Sequence, residues 1–363
     1  MDLDKEINDL ISLEQYSLNQ KQKEKKLLPI IKKQLLNQIK DKKLKRFYDQ
    51  IMPIDKINSL SDIPPLPVNL FKKHVFELVS KKDIIRTLTS SGTTSQIKSK
   101  IDLDKKTAFR QTSAYSSILK NYLGTSRKPL LVIDTPQVND PKLKGLSARG
   151  AAIRGIIPFG KNVTYVLEGS EKLKLNLESL ENFVKENNGQ EIIMFGFTYI
   201  IWSIFYKELK KLKKKYDIKF TIIHSGGWKK LTSEKVDKKH FTKELKNMLG
   251  QDSQVLDMYG LVEQLGVVFI DCDKGHKHCP NFADIIIRNP LTLEEVKENE
   301  IGLIEIISVL PNSYPGQALL TEDIGLFLGK DSCECGRKGK YFKFVSRVEK
   351  SEPRGCGDTF TDN

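Results

Sequence analysis

The sequence predicts an α/β fold, a parallel sheet flanked by helices and followed by a smaller β subdomain, on three observations. First, from about residue 85 onward short apolar runs alternate with helical segments. "KPLLVIDTP", "EIIMFGF", "IKFTIIHSGG" and "SQVLDMYG" read as buried strands ending in Gly, Ser or Asp, while "LNLESLENFVKENNG" and "TYIIWSIFYKELKKLKKKY" read as helices. Such alternation builds a parallel sheet whose ligand sites lie beyond the carboxyl ends of its strands. Second, beyond residue 265 the helical segments give way to strand-like pieces, "GVVFIDCD", "ADIIIRN", "GLIEIISV" and "KYFKFVSRV". Third, 363 residues with 39% hydrophobic content and only 14 prolines describe a globular chain with room for a substantial core.

Residues 1–60 form a helical N-terminal segment, because "LEQYSLNQKQKEKKLLPIIKKQLLNQI" places apolar residues at three- and four-residue steps. "DIPPLPVNLF" is a proline-stiffened connection into the α/β core, residues 61–265. A β-rich subdomain follows over 266–345, and residues 346–363 form a C-terminal arm. The net charge of +14, from 60 Lys+Arg against 46 Asp+Glu, sits largely in stretches such as "KELKKLKKKYDIKF". A solvated helix face accounts for it, and no aromatic-interleaved basic motif points to nucleic acid. The N-terminus is acidic and amphipathic, unlike a signal peptide, and no apolar run approaches the ~20 residues that span a bilayer. Five cysteines, an odd number, suit reduced thiols in a cytoplasmic protein.

Four motifs carry candidate chemistry. In "LTSSGTTSQIKSK", Thr89, Ser90, Ser91, Gly92, Thr93, Thr94 and Lys98 offer hydroxyls and backbone N–H groups that can converge on a phosphate; a polar turn is the plainer reading. In "HSGGWKK", Gly226 and Gly227, followed by Trp228, permit close backbone approach to a flat ring, or form only a tight turn. In "MYGLVEQLG", Tyr259 and Gly260 precede Glu263, either a Mg²⁺ ligand beside a phosphate or a surface Glu in a first helical turn. In "LLTEDIG", Asp323 can accept from two ribose hydroxyls, or is an ordinary turn residue before Ile-Gly.

The order of these motifs, closed by an Arg in "SRVEK", resembles the adenylate-forming superfamily of acyl and aryl ligases. The wording of "SSGTTS", "GLSARGAAIRG", "FGFTYIIW", "HSGGWK", "YGLVEQLG", "SYPGQALLTEDIG" and "RGCGDT" is similar to its acyl-protein synthetase (LuxE-type) branch over nearly the whole chain. The resemblance implies an adenylate-forming-enzyme-like large N-terminal domain, with the superfamily's lysine-bearing C-terminal domain missing or vestigial. It implies ATP-dependent activation of a fatty acid as acyl-adenylate, then acyl transfer to the enzyme's own Cys356 and on to an acyl-CoA-reductase-like partner. By position it assigns Ser90 to Thr94 to the ATP phosphates, Gly226 and Gly227 to adenine, Glu263 to Mg²⁺, Asp323 to ribose and Arg347 to the hinge. Phe195, Phe197 and Trp202 become acyl-channel candidates, with core packing as the plainer role. The alternatives are a carboxylate–CoA or carrier-protein ligase of the phenylacetate-CoA ligase type, and a non-catalytic scaffold for the reductase. Oligomeric state is left open, a homo-oligomer included.

"IDCDKGHKHCP" and "DSCECGRKG" bring Cys272, His276, His278, Cys279, Cys333 and Cys335 into two knuckle-like clusters about sixty residues apart. Together they can supply four ligands to a structural Zn²⁺, or they are reduced thiols of a β subdomain. Resemblance to some phenylacetate-ligase-like relatives selects Cys272, His278, Cys333 and Cys335, with Cys279 in reserve. That leaves Cys356 apart, between two glycines that free its backbone and near Arg354, which favours a thiolate.

Overall fold

The computed structural model describes residues 2–76, 78–89, 99–139, 148–169, 172–228 and 234–348. In chain order its strands are β1 (Leu66–Pro67), β2 (Ile84–Thr89), β3 (Lys100–Asp104), β4 (Lys128–Ile133), β5 (Gly160–Tyr165), β6 (Leu167–Glu168), β7 (Lys174–Leu175) and β8 (Ile192–Phe197). There follow β9 (Phe220–Ser225), β10 (Gln254–Gly260), β11 (Val268–Ile270), β12 (Lys277–His278), β13 (Ala283–Arg288), β14 (Ile301–Ser308), β15 (Ala318–Lys330) and β16 (Lys340–Arg347). The described residues of Met1–Leu88, Ile97–Asn121 and Gly260–Glu352 gather into one compact unit, and those of Thr89–Gln96 and Tyr122–Tyr259 into a second. No helix among the described residues is long and apolar enough to cross a membrane.

The second unit holds the parallel sheet. Its strands run in the order β10-β9-β8-β4-β5, each neighbouring pair parallel. β8 ("IIMFGF") and β9 ("FTIIHS") are buried at every position. A sheet covered on both faces buries its strands throughout: β8 carries no polar side chain, and β9 encloses Thr221, His224 and Ser225 as well as its apolar residues. The covering helices start on side-chain caps. Asn176 accepts from the Ser179 N–H at 2.9 Å to begin helix Leu177–Glu186. Asp237 accepts from the His240 N–H at 2.8 Å to begin helix Lys238–Leu249. Beyond the end of β4, buried Asp134 takes a two-pronged contact from Arg149, which anchors helix Ala148–Ile156.

The first unit is built on an antiparallel sheet, β12-β16-β15-β14-β13, with β1 added parallel to β15. Three helices from the chain's start belong to it: α1 (Leu3–Ser12), α2 (Gln20–Gln38) and α3 (Lys42–Ile51). α2 opens with a capping box at Asn19 and buries Leu27, Ile30, Ile31 and Leu35. Its polar residues are buried as well. Lys23 meets Asp284 of β13 at 3.0 Å, both side chains wholly enclosed, and the Gln34 amide donates to the carbonyls of Val309 and Pro311. "LLTEDIG", whose Asp323 reads plainly as a turn residue, is instead the middle of β15, a 13-residue strand in which buried and half-buried positions alternate. Alternation of period two lets Thr321 and Asp323 share the buried side with Leu319 and Phe327.

Candidate functional site

In the second unit the predicted residues collect at the carboxyl ends of parallel strands. The register sets Phe197 opposite Ser225 and Ser225 opposite Met258, so β8 and β9 end at one level and β10 runs two residues further. The Ser225 hydroxyl donates to the Met258 carbonyl at 2.9 Å. The Thr198 hydroxyl donates to the Ser225 carbonyl at 3.2 Å and lies 2.9 Å from His224 Nδ1. These bonds fix the direction in which the glycines leave the sheet. Gly226 has φ +81°, and a Cβ there would stand 3.2 Å from the Phe197 ring. Gly227 is exposed and has open space around its Cα, a bare stretch of backbone on which a flat ring can rest. Tyr259, buried, and Gly260 end β10.

The three acyl-channel candidates do not form one group. Phe195 and Phe197, side by side on one face of β8 with ring centres 6.1 Å apart, are wholly buried in the sheet's core. Trp202 joins a different set. It stacks on Tyr206 at 4.3 Å and 16°, and meets Trp228, Phe241 and His240 at 5.7–6.1 Å. Tyr206, His240, Phe241 and Thr198 were not singled out by the sequence. The i, i+4 spacing of Trp202 and Tyr206 was a readable signal, but the approach of Phe241 from the next helix was not. Ile201–Tyr206 is a π-helical turn, and such turns widen a helix and cluster at functional sites.

The first unit carries Glu263, Asp323 and Arg347. Glu263 lies in the short turn Val262–Gln264 and is 2% exposed, so the surface reading of this residue does not hold. Its backbone carbonyl accepts from the Tyr314 hydroxyl at 2.8 Å. Burial, reinforced by the Glu263 charge, pushes that hydroxyl's pKa up. Asp323 and Arg347 are direct cross-strand partners in β15 and β16, and Arg347 Nε donates to Asp323 Oδ1 at 3.0 Å. Arg347 is thus the last residue of a strand, holding the carboxylate that the sequence assigned to ribose. Thr89 ends β2 and is half-buried. Ser90, Ser91, Gly92, Thr93, Thr94 and Lys98 lie outside the described residues, as does Cys356.

Also in the first unit, the sulfur atoms of Cys272, Cys333 and Cys335 and a ring nitrogen of His278 all lie within 4.8 Å of one another. Cys335 Sγ is 3.2 Å from His278 Nε2, and His276 Nδ1 is 3.4 Å from Cys333 Sγ. Cys279 is fully buried elsewhere, with Lys23 and Asp284 as its charged neighbours, and burial pushes its thiol up to about 12. Burial, with the positive charge of Arg337, holds His278 down at about 3, so its ring is neutral and has a lone pair to offer.

The sequence model of a family described as "Acyl-protein synthetase, LuxE" matches residues 2–363. A long-chain-fatty-acid–luciferin-component ligase of Aliivibrio fischeri is 24% identical over 280 residues, covering 75% of this chain and 71% of that protein. The protein of the same name from Vibrio harveyi is 25% identical over 321 residues, covering 86% and 81%. Among solved structures, an open conformation of 2-hydroxyisobutyryl-CoA ligase in complex with 2-HIB-AMP and CoA superposes with a TM-score of 0.66 at 12% identity, covering 90% of this chain and 70% of that one. A long-chain-fatty-acid-CoA ligase from Archaeoglobus fulgidus gives 0.50 at 15% identity, covering 74% and 52%. The fold, an α/β parallel sheet together with a mainly antiparallel one, is that of the adenylate-forming ligases. With its whole described length inside the family match, this chain belongs to the acyl-protein synthetase, LuxE, family.

Proposed function

We propose that this protein is an ATP-dependent acyl-protein synthetase that activates a fatty acid, takes the acyl group onto its own Cys356, and passes it to the thiol of an acyl-CoA-reductase-like partner. The observation that carries the reading is the family match from residue 2 to residue 363. The cytoplasm, where thiols stay reduced, is the compartment this chemistry needs.

The chemistry divides into two displacements. A carboxylate oxygen of the fatty acid attacks the α-phosphorus of ATP, the bond to pyrophosphate breaks, and an acyl-adenylate forms. The Cys356 thiol then gives up its proton, its sulfur attacks the acyl carbon, and the bond to AMP breaks, leaving a thioester. Transfer to the partner repeats that exchange with a second thiol. In this reading Ser90 to Thr94 and Lys98 contact the phosphates, and the backbone of Gly226 and Gly227 with Trp228 and Tyr259 receives adenine. Asp323, oriented by Arg347, accepts from the ribose hydroxyls. Glu263 fits the Mg²⁺ role, since a carboxylate is a hard oxygen donor that suits this ion. Mg²⁺, when bound, offsets charge gathering on the phosphate oxygens. Phe195 and Phe197 support the wall beneath the glycines, and Trp202 is the channel candidate.

Incubation with Mg-ATP and a radiolabelled long-chain fatty acid is expected to give a protein adduct cleaved by neutral hydroxylamine. Cys356→Ser should abolish the adduct while leaving fatty-acid-dependent ATP–pyrophosphate exchange within about threefold of the parent, a difference of less than ~1 kcal/mol in barrier. An adduct that persists in Cys356→Ser removes Cys356 from the mechanism. Turnover that requires coenzyme A, with no covalent label, assigns the acceptor to CoA instead.

A further inference from the structure

Away from the residues given roles above, the cluster of metal-ligating side chains among the described residues is the group Cys272, His278, Cys333 and Cys335. Three features of it point to a bound ion. The first is convergence. Residues separated by about sixty positions place four donor atoms within 4.8 Å of one another. Zn–S bonds of about 2.3 Å set the sulfurs of a tetrahedral site roughly 3.8 Å apart. The second is the backbone. The N–H groups of Lys274 and His276 donate to the Cys272 sulfur, and that of Cys335 donates to the Cys333 sulfur. Amides turned onto the sulfurs fix their orientation toward one point, as outer hydrogen bonds do around metal ligands. The third is closure. Cys272, Cys333 and His278 are buried, and Tyr341 covers them, its ring 5.5 Å from both the His278 and the His276 rings.

We propose that Cys272, His278, Cys333 and Cys335 bind one structural Zn²⁺ in a four-coordinate site closed to water. Three thiolates and an imidazole select a soft or borderline ion over Mg²⁺ or Ca²⁺. His278 binds through Nε2, the nitrogen that faces Cys335. His276 is an outer partner rather than a ligand: its Nδ1 stands 3.4 Å from Cys333 Sγ, placed to donate to the sulfur. A disulfide suits the arrangement poorly, since three sulfurs share the space, all in free cysteines, and any pairing strands the third.

The ion has a place in the architecture. Cys333 and Cys335 sit in the connection between β15 and β16, while Cys272 and His278 lie in and before β12, which pairs with β16. Zinc therefore fastens the β12 edge to the end of the hairpin whose strands carry Asp323 and Arg347. The site takes no part in acyl transfer, and the proposal stands independently of the function argued above.

The test is metal analysis of the full-length chain, purified without chelator, by inductively coupled plasma mass spectrometry. One zinc per chain is expected. Exchange into Co²⁺ should give the intense visible absorption of a tetrahedral thiolate site, and a strong chelator should lower the melting temperature. The Cys272→Ser/Cys333→Ser variant should lose zinc at least roughly tenfold, whereas His276→Ala should keep the full complement. Should the cysteine variant fail to fold, the zinc content and cobalt spectrum of the unaltered chain decide the matter. A folded chain with no zinc, either as purified or after Zn²⁺ addition, overturns the proposal. So does an intact mass showing a disulfide among these cysteines.

Discussion

Gly226 is held at φ +81° with the Phe197 ring beneath it, while its neighbour Gly227 has neither constraint. An L-residue in the left-handed region costs about 1–2 kcal/mol, and at Gly226 a new Cβ must also press on a buried ring. Gly226→Ala is therefore expected to lower unfolding free energy by about 1–3 kcal/mol and to weaken ATP–pyrophosphate exchange. Gly227→Ala should fall within ~0.5 kcal/mol of the parent in stability. Urea titration of both variants measures this, and equal stabilities would sink the assignment of strain to Gly226. At this scale the sequence was informative where chemistry is local. Two glycines after "FTIIHS" marked the end of a strand, and Asp323 and Glu263 stood out as carboxylates in motif order. Burial was not local: nothing in "YGLVEQLG" announces that Glu263 is enclosed, nor in "TEDIG" that Arg347 sits opposite Asp323. Those facts come from strand register across distant segments.

β8, which carries no polar side chain, was readable because a strand covered on both faces has few polar positions to disguise it, while β9, with Thr221, His224 and Ser225, was marked by its apolar centre and the two glycines after it. β15 was harder, since its buried side contains Thr321 and Asp323, and acidic residues before a glycine look like a turn. A related buried acid pairs β13 with β14. Glu305 is wholly enclosed against Arg288, and burial outweighs the nearby cation, raising its pKa from 4.5 to about 7. Lys340 pulls it down and Glu295 pushes it up, both less than burial does. The sign follows from proton linkage. Between the ordinary glutamate value and about 7 the folded chain holds a proton that the unfolded chain has released, so stability falls as pH rises through that window. Glu305→Gln removes this dependence. The stability of the parent relative to Glu305→Gln is expected to decline from pH 4.5 to pH 7, by on the order of 1–3 kcal/mol. Denaturant unfolding at several pH values tests it, and a difference that stays flat or grows would reverse the assignment.

At the scale of the whole molecule the fold class was legible and its connectivity was not. The alternation of strands and helices after residue 85 has the period of a parallel sheet, and that reading needs only neighbouring residues. The grouping of α1–α3 with strands beyond residue 282 needs contacts across the entire chain. Lys23 and Asp284 are 261 positions apart, and Gln34 and Val309 are 275 apart. Gln20 adds contacts to Asp284 and Asp331 and accepts from the Lys340 backbone, so one face of α2 satisfies polar groups from several parts of the sheet. Removing residues 2–40 takes Lys23 from Asp284 and leaves Lys340 as its remaining buried cationic neighbour; losing one partner of a buried pair costs up to about 3–5 kcal/mol. That is comparable with the whole stability of many domains, roughly 5–15 kcal/mol, before the lost apolar contacts of Leu27, Ile30, Ile31 and Leu35 are counted. The five parallel strands of the second unit come from one stretch of the chain, β4 to β10, while α1–α3 belong to the first unit. Hydrogen exchange read by mass spectrometry on the truncated chain should therefore show amide protection lost in peptides from β13 to β16 and kept in those from β4, β8 and β9. If β13 to β16 exchange as slowly as in the intact chain, the first unit does not depend on α2, and the Lys23–Asp284 pair is a passenger rather than a fastening.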